Sequence, residues 1–193
     1  MNYYISDLHF SHENIIKFDG RPYQTVDEMN ADLIKRWNDT VSDSDDIYVL
    51  GDMFWKPEEA PIILEQLKGK IHLIKGNHDK ISPEMLRYFT SISGYTEFND
   101  NGKHVVLCHY PIMFYNHSYM KNCWMLCGHV HNTRENSWLV KWKSDLRDNV
   151  MSIANNKGNI INVGCMLHNY TPQTLEQLIN WDKSDAWRKT NER

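Results

Sequence analysis

The sequence predicts a layered α/β fold, because short apolar segments alternate with segments of helical periodicity and polar motifs follow the apolar ones. Six apolar segments are rich in β-branched or aromatic residues and bounded by Gly, Asp or Asn, which is typical of buried strands. They are Asn2–Ser6, Asp46–Leu50, Ile71–Lys75, His104–Cys108, Trp124–Cys127 and Asn159–Val163. Because such folds bind ligands at the carboxyl ends of strands, the motifs that follow these segments form the candidate site.

Five further segments have the apolar spacing of helices. They are Val26–Asp39, Pro57–Leu67, Pro83–Phe89, Ser137–Ala154 and Thr171–Trp181. Thr25 and Glu28 have the spacing of a capping box, and Pro57 and Gly69 mark the start and end of the second helix. The basic side chains of Ser137–Ala154 predict a solvated face. A cover over the site or a dimer interface are the alternatives, so we allow for a homo-oligomer.

Length and composition predict one domain over residues 1–182, followed by a charged, weakly ordered tail over residues 183–193. The net charge of -4 at pH 7 disfavours a broad nucleic-acid-binding surface. The four cysteines lack the paired spacing of a small secreted scaffold, and no apolar segment is long enough to span a membrane. We therefore expect a cytoplasmic protein with reduced thiols.

Five polar motifs each follow or close an apolar segment. They are Asp7-Leu8-His9, Gly51-Asp52, Gly76-Asn77-His78-Asp79, His109 and Gly128-His129-Val130-His131. Imidazole nitrogens and carboxylate or amide oxygens are ligands that first-row divalent metals accept. In an extended chain, side chains two residues apart lie on one face, so Asp7 and His9 can face one ion. Each motif alone is more typical of a turn or a structural histidine, whereas all five together indicate a two-metal hydrolytic site.

These motifs make the chain resemble the calcineurin-like metallophosphoesterase superfamily, particularly its small bacterial-type phosphoesterases. The family's ordered motifs are D-x-H, G-D, G-N-H-D/E, H and G-H-x-H, and all five are present between residues 7 and 131. Asn162-Val163-Gly164 looks like the family's final core strand and turn. The resemblance implies an αββα sandwich of two mixed β-sheets flanked by helices.

The resemblance also implies two divalent metal ions that share one carboxylate. One ion would be held by Asp7, His9, Asp52 and His131, and the second by Asp52, Asn77, His109 and His129. We expect Mn²⁺, with Fe, Zn, Ni or Mg as alternatives. The implied reaction is hydrolysis of a phosphoester by in-line attack of a hydroxide that bridges the two ions.

His78 is not required as a ligand in this scheme, so we expect it to be the general acid that protonates the leaving oxygen. Asp79 is the second predicted catalytic residue, because its carboxylate can fix the tautomer of His78. The alternative for Asp79 is a helix cap without a chemical role.

The substrate is predicted from weaker signals. After Gly51-Asp52 the chain lacks the Asp-Arg-Gly continuation of the protein serine/threonine phosphatases in this superfamily, and it is too short for a large cap. We therefore expect a small phosphodiester or nucleotide, with a phosphomonoester as the alternative. The side chains expected to line the pocket are His12, Arg21, Trp55 and His117.

Two functions of another class are weighed against the enzyme. A structural zinc site formed by Cys123, Cys127, His129 and His131 would make the protein an interaction module, but it leaves the other motifs unexplained. A scaffold with the same fold could instead bind metals without catalysis. His78 discriminates here, because a binding module would not require it.

Overall fold

The computed structural model describes residues 1–148 and 158–189 and contains two packed β-sheets with helices on both outer faces. The strands are β1 Asn2–Ile5, β2 Asp46–Val49, β3 Lys70–Ile74, β4 Phe89–Ser93, β5 Tyr95–Asp100, β6 Lys103–Cys108, β7 Cys123–Cys127, β8 Ile160–Asn162 and β9 Gln173–Thr174. The α-helices are α1 Ile15–Asp19, α2 Val26–Thr40, α3 Ala60–Leu64, α4 Arg134–Arg147 and α5 Leu175–Lys183.

The first sheet has the strand order β4-β3-β2-β1-β9, and the second has the order β5-β6-β7-β8. Strands β1 to β4 are parallel and β9 is antiparallel to β1. In the second sheet β6, β7 and β8 are parallel, whereas β5 is antiparallel to β6. Both sheets are therefore mixed, and their central parallel strands end at the same edge.

Three apolar clusters hold the layers together. The cluster between the sheets includes Tyr4 from the first sheet and Leu50 from the turn after β2. From the second sheet it includes Leu107 and Leu126. Helices α2 and α3 pack against the outer face of the first sheet, and α4 packs against the outer face of the second. This is the αββα sandwich that the resemblance implied. Among the described residues no helix is both long and apolar enough to cross a membrane.

All six predicted strands are confirmed, with ends that shift by at most two residues. Strands β4, β5 and β9 were not predicted. All three lie at the edges of their sheets, and most residues of β4 and β5 are partly or fully exposed. Their sequences therefore lack the continuous apolar segment that identified the central strands.

Two predicted helices are close to the observed ones. Helix α2 is capped by Thr25, whose hydroxyl accepts the Glu28 amide. Helix α5 begins after Thr174, which forms a capping box with Gln177, so it starts later than predicted.

The other three predicted helices differ more, and α1 was not predicted. Pro57–Leu67 is helical only over Ala60–Leu64, and Pro83–Phe89 is a 3-10 helix over Pro83–Tyr88. Helix α4 starts three residues before Ser137 because Thr133 caps its first turn. The end of that predicted helix, from residue 149 onward, lies outside the described residues.

The described part of the predicted tail is packed against the fold. A 3-10 helix covers Ala186–Lys189, and Trp187 is only 2% exposed. The cationic groups of Lys143 and Arg188 lie over its ring at 4.4 and 4.7 Å. Trp187 thus anchors this segment to α4, while the domain boundary at residue 182 stays a prediction.

Candidate metal centre

The loops that follow β1, β2, β6 and β7 meet at the shared edge of the two sheets. The Asp7 amide donates to the Gly51 carbonyl at 3.0 Å, and the His9 amide donates to the Asp52 carbonyl at 3.0 Å. The Gly128 amide donates to the carbonyl of His109 at 2.9 Å. These backbone bonds extend the strand pairing into the loops, so the motifs are held at fixed distances from one another.

One cluster consists of Asp7, His9 and His131, whose ligand atoms lie within 4.8 Å of one another. Nε2 of His131 is 3.5 Å from Oδ1 of Asp7 and 3.2 Å from Nε2 of His9. We call this group the first cluster. It contains three of the four side chains predicted to hold the first ion.

The second cluster consists of Asp52, His109 and His129, whose ligand atoms also lie within 4.8 Å of one another. The side-chain oxygen of Asn77 is 3.0 Å from Nε2 of His109 and 3.0 Å from Nδ1 of His129. All four side chains predicted for the second ion are therefore brought together.

Asp52 belongs to the second cluster and also faces the first. Its Oδ2 atom is 3.5 Å from Nε2 of His109 in the second cluster and 3.8 Å from Nε2 of His9 in the first. Burial raises the pKa of Asp52, but the hydrogen bond and charge of His109 outweigh it and lower the pKa to about 2. The carboxylate is thus an anion that faces both clusters.

Five of the seven predicted ligands have a left-handed backbone. They are Asp7, His9, Asp52, His129 and His131, with φ between 44° and 70°. The expectation that Asp7 and His9 converge through an extended chain is therefore wrong, because β1 ends at Ile5 and both residues turn. Such a backbone costs about 1–3 kcal/mol per residue and is typical of functional sites, where surrounding contacts enforce it.

Two glycines allow the loops to approach this closely. A Cβ atom on Gly76 would collide with the carboxylate of Asp52, and one on Gly128 would collide with the side chains of Ser6 and Asp7. The glycines of both motifs are thus required by packing at the site.

The chemistry of the first cluster fits a cation. Nδ1 of His9 is buried without a hydrogen-bond partner among the described residues, while its Nε2 faces another imidazole nitrogen at 3.2 Å. Burial and the nearby His131 hold the pKa of His9 well below its usual value, so its ring is neutral. A neutral imidazole offers a lone pair, so a cation between Nε2 of His9 and Nε2 of His131 would be bound by nitrogen donors from both rings.

Asp19 supports the first cluster and was missed in the sequence. Its Oδ1 atom is 2.8 Å from Nδ1 of His131. Burial lowers the pKa of His131, but its hydrogen bond to Asp19 and the charge of Asp7 outweigh this and raise the pKa. A carboxylate on the far nitrogen of a ligand histidine fixes its orientation and makes it a stronger donor. Its place in the Asp-Gly-Arg sequence at the end of α1 was the signal for it.

Arg21 does not contact the substrate side of the site, so its predicted role in the pocket is wrong. Its guanidinium is buried and donates to Asp19 at 2.9 and 3.0 Å. It also donates to the backbone carbonyls of Asp7 at 2.8 Å and Leu8 at 2.7 Å. Arg21 therefore holds the loop after β1 and the supporting Asp19 in place.

Asp79 holds two loops together and does not orient His78. Its buried carboxylate accepts the amides of Asp52, Met53 and Gly76 at 2.7–2.9 Å. The bonds from Asp52 and Met53 join the loop after β2 to the loop after β3, and the bond from Gly76 lies within the loop after β3. Because the carboxylate is committed to these amides, the prediction that Asp79 fixes the tautomer of His78 is wrong. The tautomer of a different histidine is fixed by the backbone, since Nδ1 of His109 lies 2.8 Å from the carbonyl of Leu50.

His78 lies at the open side of the site. Its amide donates to Asp52 Oδ1 at 2.9 Å, while its ring nitrogen Nε2 is 4.0 Å from Oδ2 of the same carboxylate. The side chain is 41% exposed. The geometry therefore keeps the ring next to the clusters and accessible to a bound molecule.

Two of the four predicted pocket residues line the site. The ring of His12 stacks on that of Trp55 at a centroid distance of 3.8 Å, and it lies 5.7 Å from the ring of His9. Trp55 also lies 5.0 Å from His78. His12 and Trp55 thus form a wall beside the first cluster.

His117 is far from the site, so its predicted role in the pocket is wrong. Its ring lies 5.3 Å from that of His104, near the amino end of β6, whereas His109 follows the carboxyl end. Because β6 and β7 are parallel, the loop between them must return to the amino end of β7. His117 lies on that returning part of the loop.

Comparison with known proteins identifies the family. The model of the calcineurin-like phosphoesterase superfamily domain matches residues 2–172. The chain belongs to this superfamily. The calcineurin-like phosphoesterase domain therefore covers nearly the whole chain, which makes hydrolysis of a phosphoric ester its general chemistry, and the metal-capable clusters agree with the divalent metals that the family binds.

Two relatives extend the comparison to whole chains. The uncharacterized protein MJ1445 of Methanocaldococcus jannaschii is 34% identical over 180 residues, which cover 92% of this calcineurin-like chain and 88% of the relative. The crystal structure of AQ665 from Aquifex aeolicus, a protein of unknown function, is 25% identical with a TM-score of 0.68, and the alignment covers 93% of this chain and 98% of that one. The fold is thus shared along almost the full length of both.

Proposed function

We propose that this protein is a two-metal phosphoesterase that hydrolyses a small phosphodiester or nucleotide at the two clusters. The observation that carries the proposal is the position of Asp52, whose Oδ2 atom lies within 4 Å of a histidine nitrogen in each cluster. A shared carboxylate is the arrangement that places two cations close enough to act on one phosphate.

The first cluster with Asp52 would hold one ion, and the second cluster with Asn77 would hold the other. When bound, the two divalent cations supply an activated water for attack on phosphorus and neutralise the charge on the phosphate oxygens. The nitrogen and oxygen donors suit Mn²⁺, Fe, Zn or Ni, and we propose Mn²⁺.

We assign His78 as the general acid. Its exposed ring is next to Asp52 without being among the ligand atoms of either cluster, so it is free to hold a proton beside the leaving oxygen. The wall formed by His12 and Trp55 limits the directions from which a phosphoester can reach His78. A positioned acid of this kind typically contributes about 10²–10⁴-fold to the rate.

The buried position of Arg21 favours a diester as the substrate over a monoester. A phosphomonoester carries an additional negative charge at the phosphate, and Arg21 was the arginine expected to line the pocket. Since its guanidinium is buried against Asp19 and two carbonyls, it gives that charge no partner. A diester lacks the additional charge and therefore needs fewer cationic partners at this site than a monoester does.

The proposal is tested by comparing hydrolysis of bis(p-nitrophenyl) phosphate and p-nitrophenyl phosphate with Mn²⁺, Ni²⁺, Zn²⁺ and Mg²⁺. We expect metal-dependent turnover with a preference for the diester. A strong preference for the monoester would reverse the assignment of substrate class. A metal-loaded protein that hydrolyses neither compound would instead support a binding scaffold.

The role of His78 is tested with His78→Ala. The variant is expected to keep its bound metal and to lose about 10²–10⁴-fold in rate on esters with poor leaving groups, because only those need protonation. Esters of nitrophenol should lose much less. His104→Ala, a partly exposed histidine at the other end of β6, is the matched control and should behave as the unmodified protein. Equal losses on good and poor leaving groups would refute the assignment.

A further inference from the structure

A surface groove of about 340 Å³ lies directly beside the second cluster. Its walls come from the loop after β6 and from the start of α4. The lining residues used below are Tyr110, His129, Glu135 and Trp138. Glu135 and Trp138 were not predicted as site residues.

The groove is continuous with the metal centre through His129. Nδ1 of His129 is 3.0 Å from the side-chain oxygen of Asn77 in the second cluster, while the same side chain lines the groove. The ring of Tyr110 packs edge-on against His129 at a centroid distance of 4.6 Å. If the phosphate of a molecule lies at the clusters, the group bonded to that phosphate would lie at the mouth of the groove.

The aromatic rings of the groove are open to a ligand. Trp138 is 61% exposed and Tyr110 is 46% exposed. At the wall beside the first cluster, Trp55 is 43% exposed, but His12 stacks on one face of its ring at a centroid distance of 3.8 Å. Trp138 thus offers the larger exposed aromatic surface for stacking a planar group.

Glu135 supplies polar selectivity. Its backbone amide is bonded to the hydroxyl of Thr133 at the start of α4, and the residue lines the groove. An ionised carboxylate only accepts hydrogen bonds, so it pairs with an amino group and repels a carbonyl oxygen or an anion. Among planar groups linked to phosphate, this favours a nucleobase with an exocyclic amino group.

We propose that this groove binds the base of a nucleotide, such as adenine, while the phosphate of the same molecule lies at the two clusters. The inference rests on the proposed phosphoesterase function and specifies its substrate class. Stacking on an aromatic side chain contributes enough to change affinity by about 10-fold or more.

The test uses calorimetric binding to the Mn²⁺-loaded protein. The probes are non-hydrolysable phosphinate analogues of the methyl phosphodiesters of adenosine, inosine and ribose, which carry the single negative charge of a diester. The variants are Trp138→Ala, Trp138→Phe, which keeps a ring, and Phe114→Ala as the matched control, since Phe114 is a similarly exposed aromatic on the loop after β6 that does not line the groove. Hydrolysis of bis(p-nitrophenyl) phosphate is measured in parallel.

We expect the adenosine probe to bind about 10-fold more tightly than the ribose probe, and more tightly than the inosine probe, which lacks the amino group. Trp138→Ala should remove the preference over ribose, whereas Trp138→Phe and Phe114→Ala should keep it. Equal binding of the adenosine and ribose probes by a hydrolytically active protein would overturn the groove proposal alone. A protein that hydrolyses no ester would refute the phosphoesterase function, and the base preference would still report on the groove. If light scattering shows that Trp138→Ala only dissociates an oligomer, the groove is an interface between copies and the proposal is wrong.

Discussion

The two clusters of the metal centre differ in what supports their histidines. In the first cluster, His131 is held by the carboxylate of Asp19, which is itself held by Arg21. In the second cluster, His109 is held by the backbone carbonyl of Leu50. One half of the centre thus depends on a buried charge network, and the other depends on the backbone of the fold.

The clusters also differ in what lies beside them, although each has two buried side chains and one partly exposed histidine. The wall of His12 and Trp55 lies beside His9 of the first cluster. His129 of the second cluster lines the open groove. The wall thus borders the first cluster, and the groove proposed to bind the base borders the second. Asp52 joins the two.

The largest effect is expected from Asp52→Asn, which affects both clusters. The substitution keeps the shape of the side chain and removes the negative charge that the two sites share. Loss of two-metal stabilisation worth several kcal/mol predicts a fall in kcat of at least about 100-fold in metal-replete buffer. Asp46→Asn, at the start of the same strand and paired with His72, is the control and should retain activity. Full activity of Asp52→Asn would disprove that two metal ions share the Asp52 carboxylate.

An intermediate effect is expected from Asp19→Asn, which affects one cluster only. Without the carboxylate, His131 loses its orienting partner, and the affinity for one of the two cations should fall about 10–100-fold. Calorimetric titration of the metal-free protein with Mn²⁺ separates the two binding events. Asp32→Asn, a surface carboxylate paired with Arg36, is the matched control. If the Mn²⁺ affinity falls equally in both binding events, or falls in neither, the two clusters do not differ in the support that Asp19 gives.

The smallest effect concerns the free energy of unfolding, which should depend on the protonation of His168 behind the first cluster. Nε2 of buried His168 lies 2.9 Å from the carbonyl of Asn162, whose side-chain amide donates to the carbonyl of His131. Burial lowers the pKa of His168 from 6.5 to about 4, although the bond to Asn162 raises it. The unfolded chain therefore binds more protons between pH 6.5 and 4. Stability should fall by about 3 kcal/mol as the pH falls through this window.

This pH dependence is checked by urea denaturation between pH 7 and 4. His168→Gln keeps a donor without titrating and should lose that part of the acid-side slope. The slope should persist in His104→Gln, a partly exposed control. An unchanged slope in His168→Gln would show that His168 is not buried in its neutral form.

The central strands and the ligand motifs could be predicted from sequence because both depend on local patterns. Short apolar segments identified β1 and β7, and the polar residues after them could be assigned to the shared edge of the sheets. Edge strands such as β5 lack that pattern, since their side chains are only partly buried. Helix starts were shifted where a cap such as Thr133 was not recognised.

The supporting residues could not be predicted because their partners are distant in the sequence. Asp19 contacts His131 across 112 residues, and only the tertiary fold brings them together. Arg21 was expected to line the pocket because its burial is not visible in a single sequence. The prediction for His117 was wrong because it ignored the topology of the sheet. The loop between two parallel strands must return to the other end of the sheet, and His117 lies on that loop.

The central claim is that two cations share Asp52, and anomalous diffraction from a crystal of the Mn²⁺-loaded protein tests it most directly. We expect two peaks roughly 3.5–4 Å apart, one in each cluster, with the Asp52 carboxylate in contact with both. A single peak, or two peaks of which only one touches Asp52, would contradict the account.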